Sequence, residues 1–418
     1  MPARCGPPSR GVSLTVPENL VAGALLGVHA GDSLGASLEF MSFEQVREAY
    51  PEGLREIVGG GPFDWPAGHA TDDTDLTRAV LLAYLQPGDD LVRTAGEHML
   101  DWFDGNWPGR VPGSRPFDVG GATATGLTRF RVSRDWRRAG AGVGSAGNGS
   151  LMRCIPTALA RASQSSPTLP GSPTLPGSPA LRAARVRESV AISAITHDDS
   201  RCLLACVAYT ETVVALLHGA TGAEAARAGA ATMEDDAVLR EVAAVLGPLP
   251  GGALPGGALS GGALSGGALS GGAVPGAASP GGEAPVDVVP GGAASGTAVP
   301  ADLLTAAGAV ATAIRLGLRV DLAEAAATGD AKLPHGGTGY VLDSLTLAVA
   351  ALADPRPAVD ALVDVTRLGG DTDTNGAIAG GLLGARDGIG AWPGSWISRL
   401  QFAPEFMAAA REFAESPN

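Results

Sequence analysis

Residues 18–40 read ENLVAGALLGVHAGDSLGASLEF, and this stretch decides the fold. Small apolar residues dominate it, and Leu20, Ala24 and Val28 recur every four positions, the spacing that lines one side of an α-helix. The pattern returns along the chain. Asp75–Leu85 carries Leu76, Val80 and Ala83 at helical spacing and stops at Pro87-Gly88. Ser200–His218 is a long apolar helix ended by Gly219, and Leu303–Leu316 is an Ala-rich one. Tyr340–Ala353 and Thr374–Ala385 each follow a glycine turn. No convincing set of alternating strands competes with these segments. The expectation is an all-α fold: a single large multi-helical domain.

The chain has 418 residues, enough for one large domain or two to three ordinary ones. Glycine (61) and proline (31) decide between these, because much of their excess falls in Leu249–Thr297. There Gly-Gly-Ala-Leu followed by Pro or Ser repeats from Gly251 and degenerates after Pro275. A second tract repeats PTLPGS from Pro167 to Ser178. Neither has the apolar bulk to offset the entropy of ordering it. Both read as disordered, dispensable insertions, at 163–181 and 248–300, within one domain over 17–416 that follows a disordered tail, 1–16. With aromatics at 5%, the core must rest on Leu, Val and Ala. Lys332 is the only lysine, which points to coding composition rather than arginine chemistry.

A net charge of −14 argues against general nucleic-acid binding, which needs a basic footprint, while leaving room for a local pocket that takes a phosphate-bearing small molecule. No uninterrupted apolar run reaches 18 residues, so no membrane span is expected, and Met1–Arg10 lacks the apolar centre of a signal peptide. Cys5, Cys154, Cys202 and Cys206 show no zinc spacing; Cys202 and Cys206 lie four apart on one helix side and read as buried small apolar residues. These features suggest a cytoplasmic protein with reduced thiols.

Two segments stand out chemically. Thr71-Asp72-Asp73-Thr74-Asp75 lies between a loop and a helix, and Gly369-Gly370-Asp371-Thr372-Asp373-Thr374-Asn375 lies in a glycine turn before another. Helix capping and the helix dipole explain one acid in each. They do not explain three carboxylates within four positions, which repel one another unless a cation sits among them. In an extended stretch Asp371 and Asp373 point the same way. Two oxygen-only clusters with hydroxyl neighbours and no adjacent His or Cys are a hard-cation signature, and neither fits the EF-hand loop.

Five segments occur in a recognisable order: Gly31-Asp32-Ser33-Leu34-Gly35 with Glu39, Thr71-Asp72-Asp73-Thr74, Gly147-Asn148-Gly149-Ser150-Leu151-Met152-Arg153, Thr196-His197, and Gly370-Asp371-Thr372-Asp373-Thr374-Asn375. This set resembles the ADP-ribosylglycohydrolase family, which includes the bacterial dinitrogenase-reductase-activating type. The resemblance covers about 18–160, 186–219 and 301–415.

It implies an all-α fold with a binuclear Mg²⁺ or Mn²⁺ centre whose ligands are Thr71, Asp72, Asp73, Asp371, Asp373 and Thr374. It implies hydrolysis of the glycosidic bond between ribose C1″ of ADP-ribose and a protein side chain, arginine above all, with an ADP-ribosylated protein or ADP-ribose derivative as partner. Glu39, Asp118 and Asp373 are carried over as catalytic residues, and Asn148, Gly149, Ser150, His197 and Tyr340 as substrate-binding ones. Asn148-Gly149-Ser150 suits a loop close to the diphosphate, since glycine permits near approach. Gly121 departs from the dinitrogenase-type pattern, which has Asn there. Serine-linked or O-acyl ADP-ribose is an alternative substrate, and a non-catalytic binding or immunity role is an alternative function.

Overall fold

The computed structural model describes residues 16–162, 179–247 and 298–415. The PTLPGS and Gly-Gly-Ala-Leu repeats, the tail up to residue 15 and Cys5 lie outside these residues. The first half contributes α1 (Glu18–Gly35), α2 (Phe43–Ala49), α3 (Asp72–Leu85), α4 (Leu91–Asp104), α5 (Gly121–Ser133) and α6 (Ile155–Ala160). The middle contributes α7 (Pro179–Ala194), α8 (Ser200–Leu217), α9 (Gly222–Thr232) and α10 (Asp236–Leu246). The last part contributes α11 (Ala301–Gly317), α12 (Leu322–Thr328), α13 (Val341–Ala353), α14 (Ala358–Arg367), α15 (Thr372–Asp387), α16 (Gly394–Ile397) and α17 (Ala403–Glu415). Among the described residues there is no strand, only two isolated bridges, Gly60 with Trp65 and Gly147 with Tyr340. The fold is all-α, as the sequence predicts.

Helix α1 is buried on every side from Val21 to Gly35, against α15, α17 and α3. It is therefore a central helix rather than one with a single apolar stripe. Its glycines explain how it fits. Gly23, Gly27 and Gly31 lie directly against the backbone of Gly384, Gly380 and Gly376, and Gly35 lies against Thr372, so α1 and α15 run antiparallel with touching main chains. No side chain separates them, and the acids at the C-terminal end of α1 come to lie beside those at the start of α15.

Helix α8 is the apolar centre of the second half. It is long and apolar enough to cross a membrane, but 89% of it is buried inside the protein, where α7, α9 and α11 pack on it. Its Glu211 carboxylate meets Arg185 of α7 at 2.6 Å, with both side chains inaccessible. Cys154, Cys202 and Cys206 are buried free thiols, as expected of small apolar fillers.

Three helix starts differ from the sequence reading. α3 begins at Asp72 and α15 at Thr372, so each acidic segment forms the first helical turn instead of preceding it. α7 begins at Pro179, inside the expected insertion 163–181; proline's fixed φ suits a first helical turn. Gly308 lies exposed on α11, with open space where a Cβ would go. Gly308→Ala should therefore stabilise the protein by about 0.5–1 kcal/mol, seen as a raised denaturant midpoint; a lowered midpoint would contradict this geometry.

Candidate functional site

The first acidic segment is fixed by α1. Asp32, wholly buried near the end of α1, accepts the backbone N–H groups of Thr71 (3.0 Å) and Thr74 (3.2 Å) and the Thr74 hydroxyl (2.5 Å). One carboxylate from a neighbouring helix thus satisfies the free donors at the start of α3. Thr71 is the cap residue, its Oγ1 accepting from the Asp73 N–H, which leaves Asp72 and Asp73 unexplained by capping. Asp75 is a structural acid: it accepts from the indole N–H groups of Trp102 (3.1 Å) and Trp107 (3.0 Å) and pairs with Arg110 at 2.7 Å. Asp32 was named in the first family-like segment without a role, and the structure gives it one, holding the start of α3.

The second segment meets the first across the helix pair. Asp371 is the residue before α15, with φ −88° and ψ 71°, and Asp373 is the second residue of the helix. The alternation of an extended strand is therefore not what brings these acids together; the helix turn is. The Thr374 hydroxyl donates to Asp73 Oδ2 at 3.4 Å, linking the two segments. Two backbone hydrogen bonds of 2.9 Å, Phe40 N–H to Gly370 and Gly370 N–H to Met41, clamp the turn after α1 onto this glycine turn. Phe40 adopts a left-handed φ of 65° there, and Glu39 is held beside Asp371.

Carboxylate oxygens of Glu39, Asp118 and Asp373 lie within 4.8 Å of one another. Burial, then the adjacent Asp118, pushes Glu39 up to about 9. Burial raises Asp72, Asp73 and Asp373 well above the usual carboxylate range, with the neighbouring acids adding to it. Asp118 is raised too, chiefly by burial. Glu39 Oε2 and Asp73 Oδ1 are buried without a hydrogen-bond partner. Converging, uncompensated, oxygen-only donors are the set that hard divalent cations take, so these residues fit such a centre. Glu39, Asp118 and the metal-ligand candidates form one cluster, which sequence spacing alone did not join.

The cluster floors a cavity of about 450 Å³. Its far wall is the loop Gly147-Asn148-Gly149, tied to the segment before α13 by Asn148 N–H to Gly339 and Val341 N–H to Ala146, each 3.0 Å. Asn148 Nδ2 donates to Asp371 Oδ2 at 2.7 Å, joining loop and acids. His197 also lines the cavity; burial, reinforced by Arg153, lowers its pKa to about 3, so the ring is neutral. Gly120 and Gly121 bring the start of α5 to the rim, and nothing lies within 4 Å of where a Gly121 Cβ would go, so the departure there leaves space rather than a clash.

Two proposed binding residues point elsewhere. Ser150 is 1% exposed and accepts from Ser193 Oγ at 2.9 Å behind the loop. Tyr340 does not line the cavity: its ring packs on His335, 4.2 Å away, and its hydroxyl accepts from Arg201. Arg153 is fully buried and binds the carbonyls of Gly149 and Ile192 and the Thr196 hydroxyl, stiffening the loop from below. Thr123, which lines the cavity, was missed from sequence, whereas Gly339 and Gly370 belong to glycine turns that the sequence singled out.

The chain is similar to known proteins. An ADP-ribosylarginine hydrolase of Pseudomonas putida is 31% identical over 220 residues, 51% of each chain. An ADP-ribosyl-(dinitrogen reductase) glycohydrolase of Rhodospirillum rubrum is 35% identical over 139 residues, 33% of this chain and 43% of the relative. These matches span about half the length of those relatives or less. A solved structure described as an ADP-ribosylglycohydrolase-related protein complex shares the fold, with a TM-score of 0.61 at 23% identity, over 95% of this chain and 97% of that one. The profile of the ADP-ribosylglycohydrolase family matches residues 14–418, nearly the whole sequence, and the chain therefore belongs to the ADP-ribosylglycohydrolase family.

Proposed function

We propose that this protein is a divalent-cation-dependent hydrolase that releases ADP-ribose from modified arginine side chains. The carrying observation is the carboxylate group of Glu39, Asp118 and Asp373, set at the floor of a glycine-walled cavity of about 450 Å³. Arginine as acceptor is supported by the similarity to relatives named for that linkage.

Thr71, Asp72, Asp73, Asp371, Asp373 and Thr374 would hold a pair of Mg²⁺ or Mn²⁺ ions, which when bound supply Lewis acidity and a more acidic water. The remaining work falls to the chain. Gly147 and Gly149 of the loop would offer backbone N–H groups, and the start of α5 the positive end of a helix, to a diphosphate. Neutral His197 beside them adds a polar contact without a charge. Glu39 and Asp118 line the same cavity as this loop, and they would stand near ribose C1″ with the diphosphate on the loop. Charge develops there in an oxocarbenium-like transition state, and carboxylates stabilise it.

The test is a panel of arginine-, serine- and O-acyl-linked ADP-ribose, with Mg²⁺, with Mn²⁺ and with chelator. Cation-dependent release from the arginine linkage is expected. Release that persists in chelator, or none from arginine, would overturn the reading. Metal-independent association with a partner and no turnover on any linkage would indicate a binding protein.

A further inference from the structure

A second cavity, of about 390 Å³, adjoins the first. Asp72 and Asp118 line both, so the two share a wall made of the site's own carboxylates. Their other walls differ in chemistry. The first is built of glycine backbone and helix starts. The second is aromatic: Trp65 lies 5.6 Å from Phe63 and 6.3 Å from Phe117, with His69 stacked on its other side at 4.7 Å. Phe40, on the rim of the first cavity, continues the row at 6.4 Å from Phe63. The aromatic row thus runs from one mouth to the other.

Two details point to what this cavity takes. Phe117 is 80% exposed and Phe40 66%, and each is the sequence neighbour of a site carboxylate, Asp118 and Glu39. Aromatic rings left in water beside reacting groups mark a surface that something covers. The charge balance selects the occupant. Arg110 is neutralised by Asp75, and its remaining donors go to the Ala70 carbonyl and to Gln401. That leaves Asp64 and Asp118 against a single other arginine, Arg115, since Asp72 belongs to the cation site. An aromatic-walled cavity without a surplus of positive charge offers a diphosphate little and suits a planar cation, which stacks on indole and phenyl faces.

Resting on the hydrolase reading above, we propose that the aromatic cavity is the acceptor pocket. It holds the guanidinium-bearing arm of the modified protein over Trp65 and Phe117, while ADP-ribose fills the glycine-walled cavity. The scissile bond then crosses the shared wall at Asp72 and Asp118. Trp65 and Phe117 are specificity-determining residues: they touch the leaving group and not the nucleotide.

The experiment compares wild type, Phe117→Ala, Trp65→Ala and Trp65→Phe in the presence of Mg²⁺. Two quantities are read: kcat/KM on an ADP-ribosylarginine peptide, and the calorimetric affinity for free ADP-ribose. The expected result is a drop of about tenfold in kcat/KM for each alanine variant, carried mainly by KM, with ADP-ribose affinity unchanged and Trp65→Phe close to wild type. Phe117 is exposed, so its variant tests the idea without disturbing the fold. Equal weakening of ADP-ribose binding would assign the cavity to the nucleotide and overturn the proposal; so would unchanged kcat/KM in either alanine variant. Wild-type failure on the arginine linkage sinks the hydrolase reading itself and is a separate result.

Discussion

Asp373→Asn should abolish turnover and, in cation-free protein above neutral pH, raise the melting temperature. Both effects come from one carboxylate. Asp373 is 2% exposed and surrounded by Asp73, Asp371, Glu39 and Asp32, which together with its burial push its pKa well above the usual range. An amide keeps the shape and can still accept the Thr374 N–H that Asp373 Oδ1 accepts at 2.9 Å. At pH values where Asp373 would ionise, it removes a negative charge from a cluster crowded with other acids, a relief of about 1 kcal/mol. It also removes a hard ligand and a transition-state charge, a loss of at least about a hundredfold in kcat/KM.

The pH dependence checks the same idea. In chelator, Glu39 rises from its ordinary 4.5 to about 9, mostly by burial, and Asp72 and Asp73 are raised in the same direction. The folded protein then binds more protons than the unfolded chain, so stability falls as pH rises towards about 9. Below the ordinary histidine value of 6.5 the opposite holds for His29, His69 and His197, whose pKa values are lowered to about 3, 4 and 3, chiefly by burial. The comparison therefore belongs between about pH 7 and 9. There the chelated wild type should lose melting temperature, Asp373→Asn should lose less, and added Mg²⁺ should flatten the wild-type curve. A chelated wild type more stable at the higher pH would refute the clustered-carboxylate account.

Gly31→Ala should destabilise the protein by about 3 kcal/mol or more and disable whatever fraction still folds. A methyl at Gly31 overlaps the carbonyl of Gly376, and one at Gly376 would lie 2.5 Å from the Gly31 carbonyl oxygen. Both obstacles are main chain, so no rotamer change relieves them. The helices must separate, and with them Asp32 and Glu39 from Asp371 and Asp373. Urea midpoints measure the first effect and ADP-ribose release per folded molecule the second. A Gly31→Ala protein with a wild-type midpoint would mean that the close contact is not needed. Gly308→Ala, changing the same residue type on an open helix face, is the matched control.

Helix content and the acidic segments were legible because both are local. Period and capping chemistry are written in neighbours along the chain, and the family resemblance was carried by short motifs of the same kind. Convergence was not legible. That Asp32 would close the start of α3, or that Glu39, Asp118 and Asp373 would meet, depends on contacts between distant segments. Ser150 and Tyr340 show the converse error. Each belongs to a cavity-lining segment, but motif membership does not say which side of the loop a side chain faces. The helical pattern of α1 suggested one buried side, whereas apolar and glycine positions together bury it on all sides.

The backbone contact between α1 and α15 also sets a clock. Its two halves lie roughly 340 residues apart in the chain, so at about 5–20 residues per second α1 waits on the order of tens of seconds for its partner to be synthesised. During that interval an apolar helix carrying Asp32 has α3 to pack on but lacks α15 and α17. The site can close only after nearly all of the other helices have been made, so its geometry is among the last properties the growing chain acquires.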